Sequence, residues 1–113
     1  MGKDEVSVSG KILDASREGV ESIMSSLGWP LKREHFGSLE YNDGETSVAL
    51  SDLQETFVRR PGYWFQAWTD GGPDAAREIA RRLATALAAA GLRHELYVCF
   101  DDGTEERISL LPP

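Results

Sequence analysis

One cysteine and two histidines are all that this chain of 113 residues offers as thiolate or imidazole metal ligands. A lone Cys99 excludes an internal disulfide and a zinc site built from cysteines. His35 and His94 stand far apart with no ligand-like spacing, so no metal site is expected. Basic charge is also scarce, with twelve Lys and Arg against nineteen Asp and Glu and a net charge of −7. That balance disfavours nucleic acid, whose phosphates are bound by displacing counterions with Lys and Arg. No apolar run approaches the ~20 residues a helix needs to cross a bilayer, and Met-Gly-Lys-Asp-Glu lacks the apolar core of a secretion signal. No membrane association and a cytoplasmic location are the resulting expectations.

Catalytic signatures are missing as well. There is no Gly-x-Gly-x-x-Gly, no phosphate loop and no Gly-x-Ser-x-Gly elbow. Cys99 and His94 are an odd number of residues apart on one expected strand, so they point to opposite faces and form no dyad. No cofactor, no catalytic residue and no enzymatic activity are expected. The acidic turn Asp101-Asp102-Gly103-Thr104-Glu105-Glu106 lacks the alternating ligands and terminal bidentate Glu of a calcium loop, and hairpin chemistry accounts for it.

What the chain does contain is a strong helix. Pro73 to Ala90 opens with proline, carries Asp74 and Glu78 near the positive end of its dipole, and is closed by Gly91. Ala76, Ile79, Ala80, Leu83, Ala86, Leu87 and Ala90 form its apolar stripe. Eighteen residues span about 27 Å, the length of a seven- or eight-residue strand, so the helix is expected to lie on a sheet.

The sheet is legible on both sides of it. Val6 and Val8 begin a strand that Gly10 weakens and that extends toward Ile12. Asp14 or Ser16 caps a helix with Val20, Ile23, Met24 and Leu27 on one side, ending at Gly28 before Trp29-Pro30. Residues 31–36 read as a polar loop. Leu39 and Tyr41, then Val48 and Leu50, alternate about Asn42-Asp43-Gly44-Glu45, a hairpin signal. Residues 51–62 read as a loop with a helical turn, a strand being the alternative. Tyr63 to Thr69 and Leu92 to Phe100 have high strand propensity, and Asp102-Gly103 turns the chain into a last strand with Ile108 and Leu110 inward.

The expected fold is therefore a single α+β domain over 1–113: an antiparallel-rich sheet of about six strands with two helices on one face. Both halves run strand, helix ending in Gly, strand, Asp-Gly turn, strand. A duplicated β-α-β-β unit explains that order; so does the commonness of the order itself.

If Tyr63, Phe65 and Ala67 face the helices, then Trp64, Gln66 and Trp68 face away, beside Glu95, Tyr97 and Cys99 and beyond them Glu105, Arg107 and Ser109. Trp64, Gln66, Trp68, Glu95, Tyr97 and Arg107 form the candidate binding residues of an open sheet face. The alternatives are that loop 51–62 roofs the tryptophans, or that the parity is reversed and they are core. Charge is uneven along the chain. Residues 1–58 hold five basic and eleven acidic side chains, residues 59–93 six and three, and residues 94–113 one and five. Arg59, Arg60, Arg77, Arg81, Arg82 and Arg93 thus form a basic island, an anion-binding patch or a solvated helix face in which Glu78 pairs with Arg82.

In general character — small, acidic, α+β, without catalytic residues — the chain resembles bacterial immunity and antitoxin-type inhibitors. The resemblance is one of size and charge and involves no motif. It implies a non-enzymatic domain that binds a basic protein partner, with Trp64 and Trp68 as anchors and Glu40, Glu45, Asp101, Glu105 and Glu106 steering the encounter. Two other readings use the same residues: a small-molecule or peptide pocket lined by Trp29, Tyr41, Trp64 and Tyr97, and a homodimer that buries the open sheet face against itself.

Overall fold

Alternation of apolar and polar residues at strand period shapes the centre of the molecule. A computed structural model describes residues 6–13, 15–33, 39–52, 62–100 and 102–108. Strand β1 (Val6–Leu13) buries Val6, Val8, Gly10 and Ile12 and leaves the residues between them half-exposed. Helix α1 (Arg17–Ser26) follows, capped by the Ser16 hydroxyl, which accepts from the Gly19 N–H at 3.1 Å. Then come β2 (Lys32–Arg33), β3 (Leu39–Asn42), β4 (Thr46–Asp52) and β5 (Gly62–Thr69). Helix α2 (Gly72–Ala89), β6 (His94–Cys99) and β7 (Glu105–Arg107) complete the order.

Among the described residues seven strands form one sheet in the order β2-β3-β4-β5-β1-β6-β7, and every neighbouring pair is antiparallel. Strands β2 to β5 make a meander. Helix α2 then carries the chain across β1, so β1 lies between β5 and β6. Both helices cover one face. Phe65, Ala67, Val8, Ile12, Val48, Leu50, Leu96 and Val98 meet Val20 and Met24 of α1 and Ile79, Leu83 and Leu87 of α2 in one core. Burying each larger aliphatic or aromatic side chain contributes about 1.5–3 kcal/mol. The fold is thus α+β with two helices on one side.

Both helices stop in the same way. Gly28 and Gly91 take positive φ, 90° and 73°. The N–H after each glycine then reaches back five residues, from Trp29 to the Met24 carbonyl and from Leu92 to the Leu87 carbonyl, both at 2.9 Å. These bonds satisfy carbonyls that the end of a helix leaves without partners.

Several expectations require correction. Lys32 and Arg33, expected in a loop, form a seventh strand by pairing with Glu40 and Leu39. Gly10 does not weaken β1, which continues unbroken to Leu13. On α2, Ala90 is exposed and Ala84 is buried, so the stripe turns further toward Ala84 than the spacing indicated. The Glu78–Arg82 pair gives way to a tertiary bond, in which Arg82 donates to the Leu27 carbonyl at 2.7 Å and its guanidinium lies 5.5 Å from the Trp29 ring centre. Duplication gains no support from the sheet: hairpin β3–β4 docks on β5 through its second strand, whereas β6–β7 docks on β1 through its first. The expectations for Asp14, His35, Arg59, Arg60, Asp101, Ser109, Leu110 and most of loop 51–62 lie outside the described residues.

Candidate functional site

The parity of β5 builds the site. Tyr63, Phe65 and Ala67 are buried, which turns Trp64, Gln66 and Trp68 to the opposite side of the sheet. Trp64 is 40% and Trp68 47% exposed, and they are the large exposed hydrophobic side chains among the described residues. Strand register arranges their neighbours in three rows. Ser47, Trp68, Ser7, Cys99 and Glu105 make the first, nearest the β3–β4 and β6–β7 turns. Glu40, Ala49, Gln66, Ser9, Tyr97 and Arg107 make the second. Ser51, Trp64, Lys11 and Glu95 make the third.

All six candidate residues, Trp64, Gln66, Trp68, Glu95, Tyr97 and Arg107, therefore stand on one face. Trp64, Gln66, Trp68 and Arg107 are exposed, and Glu95 and Tyr97 are half-buried. Serines and alanine beside the tryptophans keep the surface shallow and leave the indoles standing above it. Lys11, which sequence reasoning passed over, belongs to the site: its Nζ lies 4.9 Å from the centre of the Trp64 ring. Only the pairing of Lys11 with Trp64 could have revealed it, and that needs the register. Cys99 is half-buried in the first row. Burial above all, and then the Glu105 carboxylate, push its thiol pKa up against a weaker opposing hydrogen bond with Ser7. A thiol so placed is a poor nucleophile.

Charge is organised by topology rather than by stretches of sequence. The β3–β4 turn, the end of β5, the start of α2 and the β6–β7 turn all lie at one end of the sheet. That end collects Asp43, Glu45, Asp70, Asp74, Asp102, Glu105 and Glu106, with Arg77 among them. Arg77 bonds Glu106 at 2.8 Å and Asp74 at 3.2 Å and stands over the Phe100 ring. Among the described residues of the basic island, Arg77 is engaged at the acidic end while Arg82 covers Trp29.

The four aromatics nominated for a pocket do not converge. Trp29 is buried on the helix side and Tyr41 packs against the core, whereas Trp64 and Tyr97 lie on the outer face. An open groove of about 370 Å³ runs between the end of α1 and α2, lined by Leu27, Glu78, Arg81, Arg82, Thr85, Ala86 and Ala89. None of the six candidate residues lines it. Among the described residues no cluster of three or more His, Cys, Asp or Glu is placed to hold a metal ion, and no helix is long and apolar enough to cross a membrane. No known protein family, curated protein or solved structure matches the chain.

Proposed function

We propose that this chain is a non-enzymatic interaction domain that binds a basic protein partner on the outer face of its sheet. The observation that carries the reading is the exposure of Trp64 and Trp68 on a face of small polar residues, opposite the face that the helices cover. Tryptophan supplies a large contact area with little rotamer entropy to lose, and it dominates interface energies where it occurs. The acidic end of the sheet favours a partner of opposite charge and would speed its approach. A small acidic domain holding a basic protein is the arrangement of bacterial immunity and antitoxin-type inhibitors, and we extend the proposal to an inhibitor of that kind acting in the cytoplasm.

The test is a parallel pull-down with the wild type and the Trp64→Ala/Trp68→Ala double variant, each with a thermal melt. A protein held by the wild type and lost by the variant, at an unchanged melting temperature, supports the reading. A partner retained by the double variant sinks it.

A further inference from the structure

The two exposed tryptophans differ in one respect. Trp64 pairs across β1 with Lys11, whose ammonium occupies the ring face. Trp68 pairs with Ser7 on β1 and Ser47 on β4, side chains too short and uncharged to play that part. No cation of the described residues stands over its ring, and it is the more exposed of the two, 47% against 40%. Two acidic residues share its end of the sheet instead. Asp70 follows two residues along the chain, and its N–H donates to the Glu45 carbonyl at 3.1 Å, which brings Glu45 to the same corner. Glu105 stands at the far end of the same cross-strand row, beyond Ser7 and Cys99. An indole face attracts a cation through its ring quadrupole, and neighbouring carboxylates strengthen the hold on the same charge.

We propose that Trp68 is the receptor for a cationic side chain of the basic partner, an arginine laid against the indole and paired with the Glu45 and Asp70 carboxylates. Lys11 on Trp64 is the intramolecular form of the same contact, so Trp64 offers an occupied face and is the lesser anchor. Arginine suits the position because its planar, weakly hydrated guanidinium stacks on an aromatic ring while its N–H groups bond carboxylates at the rim. This inference rests on the sheet-face reading and adds to it the chemistry of the partner and the point at which it enters.

The indole N–H signals of the isotope-labelled full chain, assigned with single Trp→Phe variants, give a direct readout. A hexa-arginine peptide added at low salt should move the Trp68 signal saturably, move Trp64 much less and leave buried Trp29 in place, while a hexa-glutamate peptide moves none. A Glu45→Gln/Asp70→Asn double variant should bind the arginine peptide several-fold more weakly. Lys11→Met should raise the response of Trp64 above its wild-type level while leaving it below that of Trp68, which alone has Glu45 and Asp70 at its end of the sheet. The inference is overturned if Trp68 ignores the arginine peptide, or if the carboxylate variant binds it as well as the wild type does. Its failure is separable from that of the sheet-face reading. A protein partner lost with Trp68→Ala but indifferent to Glu45→Gln/Asp70→Asn would keep the face and remove the cation; a partner indifferent to both tryptophans would remove the face.

Discussion

Gly10 of β1 passes so close to Glu95 of β6 that a Cβ on it would meet the Glu95 carbonyl oxygen, and would stand 2.9 Å from Leu96 Cδ2. Glycine here is the condition for close approach of two central strands, where the backbone has nowhere to retreat. Gly10→Ala is therefore expected to destabilise the fold by about 1–3 kcal/mol or more. At roughly 4 °C per kcal/mol for a domain of this size, a thermal melt resolves the effect easily. An unchanged melting temperature would show that β1 and β6 can part without loss.

Trp68→Ala should leave stability within about 0.5 kcal/mol of the wild type, as surface positions usually do, and Trp64→Ala within about 1 kcal/mol, since it also gives up the Lys11 ammonium over its ring. Phe65→Ala, between them on β5 and fully buried, should cost about 3–5 kcal/mol. Chemical denaturation of the three variants tests the parity of the strand in one series. Comparable losses at all three positions would place the indoles in contacts that the exposed face does not provide.

How far these positions were readable in the sequence differs by kind. Alternation along 63–69 put Phe65 and the tryptophans on opposite faces, because side-chain period in a strand is a local property. Gly28 and Gly91 marked helix ends for the same reason. Which face of 63–69 turns inward is settled only by the packing of the helices on Phe65. Strand β2 was invisible: Lys32 and Arg33 carry no apolar pattern, and only their backbone pairing with β3 makes them a strand. The charge map misled where it followed chain position. Asp70 and Asp74 fall within the arginine-rich stretch 59–93, yet the fold places them with Asp43, Glu45 and Asp102 at one end of the sheet. Lys11 over Trp64 likewise depends on a register between strands some fifty residues apart. Local rules reach neighbours in sequence; the site is made of neighbours in space.

Two turn aspartates give the protein an acid sensitivity of definite sign. Asp43 accepts from the backbone N–H groups of Thr46 and Glu45 and from the Tyr41 hydroxyl, at 2.8, 2.9 and 2.9 Å. The Thr46 bond foremost, then those of Glu45 and Tyr41, hold its carboxyl below the usual carboxylate range. Asp102 is lowered likewise by the hydroxyl and N–H of Thr104. A group whose pKa falls on folding stabilises the native state fully above its unfolded value, about 3.9 for aspartate, and the contribution is lost as pH falls through the lower folded value. Melting temperatures of the wild type and of Asp43→Asn should therefore differ at neutral pH and converge below about pH 4. A difference that persists unchanged into strong acid would show that the carboxylate charge is not what the turn uses.

Cys99 should react slowly with alkylating reagents in the folded protein. Its thiol pKa is raised by burial first and by Glu105 second, so less thiolate is present at any given pH than in an exposed cysteine. Removing the charge with Glu105→Gln should lower the pKa and quicken alkylation, with the two rates converging once pH exceeds both values. Equal rates in the wild type and Glu105→Gln at neutral pH would mean that burial alone governs the thiol.

The outer face also bears on self-association. Six strands, β3 to β7 with β1, spaced about 4.8 Å apart and some six residues long at ~3.4 Å each, give a surface of roughly 600 Å². A stable interface takes about 600–1,000 Å² from each partner, so two flat copies stacked face to face reach only the lower limit. Their acidic ends would also repel unless the two-fold axis turned them to opposite sides. A foreign partner that reaches over the Trp68 edge onto the acidic turns meets neither limit. Light scattering at low and high concentration should accordingly return the mass of one chain at both. A doubled mass at high concentration that reverts in Trp68→Ala would instead make a second copy of this chain the occupant of the face.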